Sequence, residues 1–125
     1  MTDLDDLARE ALGIADIESA AIFVAQPGSP TPVLALAGAA GIDGPPLDGL
    51  VAAVQNPMHP IARALHDAGP TFDVRPMNPG GPAIRSHLPL GGLGVLAVAH
   101  DAVLDGAARR SLIDLAARAT DRLRG

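Results

Sequence analysis

Apolar residues follow two rhythms along this chain, and each change of rhythm marks a new element. Leu4, Leu7, Ala8, Ala11 and Leu12 recur at helical spacing. Thr2 or Asp3 suits the cap of that helix, Asp5 and Asp6 suit its first turn, and Gly13 stops it. From Ser19 to Gln26 the period becomes two. Ala21, Phe23 and Ala25 alternate with Ala20, Ile22 and Val24, so both faces are apolar, as in a strand covered on both sides. Pro27-Gly28-Ser29-Pro30-Thr31-Pro32 has the composition of a turn, and Val33 to Ala37 reads as a second strand. Residues 19–38 therefore predict an antiparallel hairpin.

Gly38 to Pro46 reads as a Gly/Pro-rich loop. Pro45 or Pro46 suits a helix start, and Leu47, Leu50, Val51 and Val54 make a short stripe that Asn56-Pro57 breaks. A second short helix is expected from Pro60, with Ile61, Ala62, Leu65 and Ala68 inward and its end at Gly69. Thr71 to Val74 is a brief strand. Residues 75–82 hold three Pro and two Gly and are expected to be irregular. Two apolar strands follow, Arg85 to Leu90 and Leu93 to His100, joined by a glycine turn. A final helix from Leu104 or Asp105 to Arg124 carries the stripe Leu104, Ala108, Leu112, Leu115, Ala116, Ala119 and Leu123. Hairpins at both ends enclose the helices, and no βαβ alternation appears. The order predicts a single α+β domain over 1–125 with a largely antiparallel sheet.

Composition narrows the chemistry. The 125 residues are 48% hydrophobic, but the only aromatics are Phe23 and Phe72, so the core must be built from small aliphatic side chains. All 9 basic residues are Arg and the net charge is -5. Arg118, Arg122 and Arg124 cluster where they complement a helix C-terminus, so no nucleic-acid partner is expected. Cys is absent, which removes disulfides, thiolate catalysis and Cys-ligated zinc. No apolar run approaches the roughly 20 residues that span a bilayer. The acidic start is unlike a signal peptide, so no membrane association and a cytoplasmic location are expected.

Two local patterns resemble the GAF domain family, and the resemblance extends over nearly the whole chain. One is Met58-His59-Pro60-Ile61-Ala62-Arg63-Ala64-Leu65, followed by a Gly-Pro turn and the strand at Thr71 to Val74. The other is Arg85-Ser86-His87-Leu88-Pro89-Leu90 followed by Leu93-Gly94-Val95-Leu96. The resemblance implies a GAF-like sheet with the terminal helices on one face and short helices and loops on the other. It also implies a pocket between the sheet and those short helices. Cyclic-nucleotide-binding GAF domains carry an Asn-Lys-Phe-Asp-Glu signature, which a chain without Lys cannot hold. The cysteines of the bilin-binding and methionine sulfoxide reductase members are also missing.

Arg85 and His87, two apart on a strand, share a face, while Ile84, Ser86, Leu88 and Leu90 take the other. The pair suits a pocket for an anionic ligand, with Arg85 as a donor fork, or else a solvated strand edge. His59 either reaches that pocket or satisfies the start of its helix. His59 and His66 are too far apart for one metal ion, so no metal and no cofactor is expected. Asp73 suits an ion pair with Arg75 or Arg85 that would order the 75–82 loop, where Met77 and two glycines suit a lid or an ordinary surface loop. His100-Asp101 reads as a strand end. Ser86 and His87 point to opposite faces and cannot work together as nucleophile and base, and no catalytic constellation emerges. The chain is expected to be a non-enzymatic sensor of an unknown small molecule, with ligand ordering the loop and acting on the terminal helices. The alternative is a ligand-free interaction domain. A homodimer through the terminal helices is expected.

Overall fold

The computed structural model describes residues 4–26, 33–75 and 84–125. In chain order the elements are α1 (Leu4–Ala11), β1 (Ile17–Gln26), β2 (Val33–Ala40), α2 (Gly44–Ala53), α3 (Pro60–Ala64), β3 (Thr71–Val74), β4 (Ile84–Pro89), β5 (Gly94–His100) and α4 (Gly106–Arg124). The strands form one five-stranded sheet in the order β2-β1-β5-β4-β3. Every neighbouring pair is antiparallel, as hairpin-rich sequence predicts. This is the expected α+β architecture.

The period-two pattern sorts side chains onto two cores. Ile22, Leu88, Leu96 and Val98 pack under α1 and α4 with Leu7, Leu112 and Leu115. Ala21, Phe23, Val95 and Ala97 pack on the other side with Ile61 and Leu65. The second core also takes Val54, which follows α2. All seven residues of β5 are buried because the strand is central and has a layer on each side. The terminal helices therefore share one face and the short helices the other, as expected.

Local signals account for the ends of these elements. Asp105 caps α4 by accepting a hydrogen bond from the Ala108 amide at 2.8 Å. Gly91 and Gly92 both adopt positive φ, 65° and 81°, in the β4–β5 turn. Two consecutive left-handed residues suit the twist of a tight hairpin, which is why two glycines stand there.

Some boundaries differ from expectation. β1 starts at Ile17, β2 runs on to Ala40, and α3 ends at Ala64 with Ala68 exposed. Gly38, expected in a loop, lies inside β2 opposite Ile22, next to a shift of register. A Cβ on Gly38 would stand 2.6 Å from the Leu4 carbonyl carbon, so glycine lets α1 lie directly on the strand. The outer edge of β2 is met by side chains. Gln55 bonds both the amide and the carbonyl of Leu34, and Asp5 accepts from the Ala39 amide. Such contacts occupy edge groups that would otherwise invite another strand.

Candidate functional site

β4 presents its side chains alternately to the two cores. His87 stands opposite Ala97 of β5 and Thr71 of β3, and Arg85 stands opposite Ala99 and Val74. Both are on the α2/α3 side, because paired residues of antiparallel strands share a face. His87 is 3% exposed and its Nε2 has no hydrogen-bond partner among the described residues. Leaving such an atom unmet normally costs about 1–3 kcal/mol. Burial, then the positive charges of Arg85 and His59, push the His87 imidazole down to about 4, so it is neutral at neutral pH.

His59 caps α3. Its Nδ1 accepts a hydrogen bond from the Ile61 amide at 3.1 Å, which puts the proton of the neutral ring on Nε2. Burial and the charge of Arg85 lower the His59 pKa as well. Burial also lowers that of Arg85, which nevertheless stays a cation. None of the ion pairs among the described residues includes Arg85. Three basic side chains from two elements thus meet on one face. Toward the other end of this face, between α3, the α2–α3 connection and β2, a cavity of about 230 Å³ is lined by Leu34, Val54, Leu65 and the polar Gln55, Arg63 and His66, and by none of these three.

The other sequence candidates lie elsewhere. Asp73 adopts φ +60° and turns its carboxylate toward α4. It accepts from the Leu104 amide at 3.1 Å and pairs with Arg109, whose guanidinium also lies over the Phe72 ring at 4.9 Å. The expected partners Arg75 and Arg85 are therefore replaced by Arg109, which a helical turn brings back over β3. Arg75 is exposed at the end of β3. Met77 and the rest of the expected lid lie outside the described residues.

A second polar group was not expected from sequence. Ser86 Oγ lies 2.9 Å from His100 Nε2, and His100 Nδ1 lies 2.8 Å from the Ala102 carbonyl oxygen. A carbonyl only accepts, so Nδ1 donates, and in the tautomer protonated at Nδ1 alone Nε2 accepts a hydrogen bond from the Ser86 hydroxyl. The Asp73 amide donates to the same Ser86 oxygen at 3.1 Å. Ser86 and His100 are 0% and 1% exposed, so this serine–histidine pair joins β3, β4 and β5 beneath α4 rather than facing solvent. The available signal was alternation: Ser86 and His100 both fall on the core side of strands that a tight turn makes neighbours. No group of three or more His, Cys, Asp or Glu side chains able to hold a metal occurs among the described residues. No helix among them is long and apolar enough to cross a membrane.

No family model matches this chain, and no curated protein matches it. Among solved structures, the second GAF domain of DevS from Mycobacterium smegmatis aligns with a TM-score of 0.70 and 21% identity. The match covers 96% of this chain and 89% of that one. The fold is that of a GAF domain. At this identity the likeness concerns the fold, and the chemistry must be read from this chain's own side chains.

Proposed function

We propose that this domain is a sensory or regulatory module that binds a small molecule on the α2/α3 side of its sheet, at Arg85, His87 and His59. The observation that carries this reading is His87, a buried imidazole whose Nε2 has no partner among the described residues, beside two further basic groups. A chain selected only for stability has little reason to keep that arrangement. The reading keeps Arg75 and Met77 as further contacts of the bound molecule and assigns Asp73 to the link with α4. The same strand carries Ser86, tied through His100 and Asp73 to the start of α4. Ligand on one face thereby acts on the terminal helices through the other, in a non-enzymatic cytoplasmic protein. The exposed Ile113 on α4 and Val103 before it favour a homodimer through the terminal helices. They also support the second reading, an interaction domain that needs no ligand.

A thermal-shift screen against nucleotides, organic acids and aromatic metabolites tests the ligand reading. Ligand at about 100 times its Kd adds about 2.7 kcal/mol and raises the melting temperature by several degrees. The shift should disappear in Arg85→Ala. A screen without any shift removes the ligand reading and leaves the interaction domain. For the dimer, a sedimentation mass that remains that of one chain at all concentrations counts against pairing.

A further inference from the structure

We propose that the Arg85–His87–His59 cluster binds the carboxylate of a small organic acid and that His87 takes up a proton as the anion enters. This names the chemical class of the ligand and rests on the ligand-binding reading above.

The local inventory of charge carries the argument. The chain as a whole is acidic, with net charge -5, yet this spot gathers basic groups. His87 is faced by Arg85 on its own strand and by His59 from the head of α3. Its cross-strand neighbours are Thr71 and Ala97. Among the described residues no carboxylate offsets the burial and positive charge that act on His59, Arg85 and His87. The nearest acid in the sheet, Asp73, is committed to Arg109 and the Leu104 amide. A cationic ligand would add to existing repulsion, whereas an anion removes it.

The hydrogen-bonding inventory points the same way. Arg85 is a planar fork of donors with no acceptor, and that fork matches a carboxylate through two parallel bonds. The His59 ring spends its acceptor on the Ile61 amide, so only a donor remains. His87 Nε2 is buried without a partner and becomes a donor once the ring is protonated. Among the described residues the cluster therefore offers donors and lacks an acceptor for them to meet. Val95, Ala97, Phe23, Ile61 and Leu65 make the neighbouring core apolar, which suits an acid with an apolar body.

Proton uptake follows from the sign of the interaction. Without ligand, burial and two positive neighbours disfavour the imidazolium. A buried negative charge beside the ring counters the Arg85 charge and offsets the burial penalty, which favours the imidazolium. Binding should then tighten about tenfold for each pH unit of acidification, between roughly pH 6.5 and 5.

Imidazole nitrogen NMR on the whole chain tests this, with acetate and benzoate as the acids and benzamide and benzamidinium as neutral and cationic counterparts. His87→Leu identifies the His87 signals. Benzoate or acetate should raise the His87 midpoint from about 4 to about 6.5, and affinity should follow the tenfold rule. Arg85→Gln should weaken binding at least about tenfold. His87→Leu, which removes an Nε2 without a partner among the described residues, should fold and lose the pH dependence. Equal binding of benzamide or benzamidinium, or bound acid with an unmoved His87 midpoint, overturns the acid class while leaving a ligand site standing. Signals that respond to neither acid overturn the acid class as well. The broader reading then falls only if the metabolite screen is also blank.

Discussion

Ser86 and His87 are consecutive residues of one strand, both buried, and they meet opposite surroundings. Ser86 points under α4, where His100 and the Asp73 amide satisfy its hydroxyl. His87 points under α3, where its Nε2 meets no partner among the described residues and two basic groups hold the ring neutral. Among the described residues, one face of β4 is thus complete and the other is not. Burial is similar on both sides, so burial alone does not separate a structural polar residue from a candidate binding residue. The separation comes from whether the fold supplies the complementary atom.

The largest break in this comparison should come from Asp73→Ala. It removes the acceptor for the Leu104 amide and for Arg109, and leaves alanine at φ +60°. Loss of a charged hydrogen-bond partner and left-handed strain together predict about 3 kcal/mol in urea unfolding. A loss under about 1 kcal/mol would mean that the Asp73 link does not hold α4 in place.

On the open face, the effect should appear in pH dependence. The unfolded chain binds the His87 proton near 6.5 and the folded chain near about 4. Between those values the unfolded state holds more protons, so stability falls as the pH is lowered through that window and levels off below about 4. At about 1.4 kcal/mol per pH unit the full span is roughly 3 kcal/mol. His87→Leu should flatten this slope and be neutral or slightly stabilising at pH 7, since it removes a buried group without a partner. An unchanged slope in that variant would assign the acid sensitivity to another group.

Ser86→Ala sharpens the contrast at a smaller scale. It leaves His100 Nε2 and the Asp73 amide without their shared partner, and about 1–2 kcal/mol of stability should be lost. If Ser86→Ala proves as harmless as His87→Leu, the two faces are not different in the way proposed. The smallest effect is expected for Arg118→Ala. Arg118 binds Glu10 through two hydrogen bonds and joins α1 to α4, but both side chains are about half exposed. Under about 0.5 kcal/mol should be lost, which chemical denaturation in high and low salt will detect.

Local chemistry made most of the fold legible. The Gly91-Gly92 turn and the unbroken apolar run of β5 each report a requirement that acts over a few residues. Alternation also placed Arg85 and His87 on one face and Ser86 on the other. Gly38 was misplaced because its reason is remote: the α1 backbone crosses β2 there, and glycine in isolation reads as a loop. The same remoteness hid Arg109. It lies 36 residues from Asp73, whereas Arg75 and Arg85 looked nearer in sequence. His100 does end β5, as expected, but nothing local tells which groups meet its two nitrogens.

Period and turn chemistry, carried by neighbouring residues, therefore determined the order of strands and helices and which side chains share a face. The partners of those side chains were decided by packing. Whether a buried polar atom is satisfied depends on groups far away in the chain, brought to hydrogen-bond distance by the antiparallel sheet and the return of α4. Ser86 found such partners, while His87 Nε2 has none among the described residues.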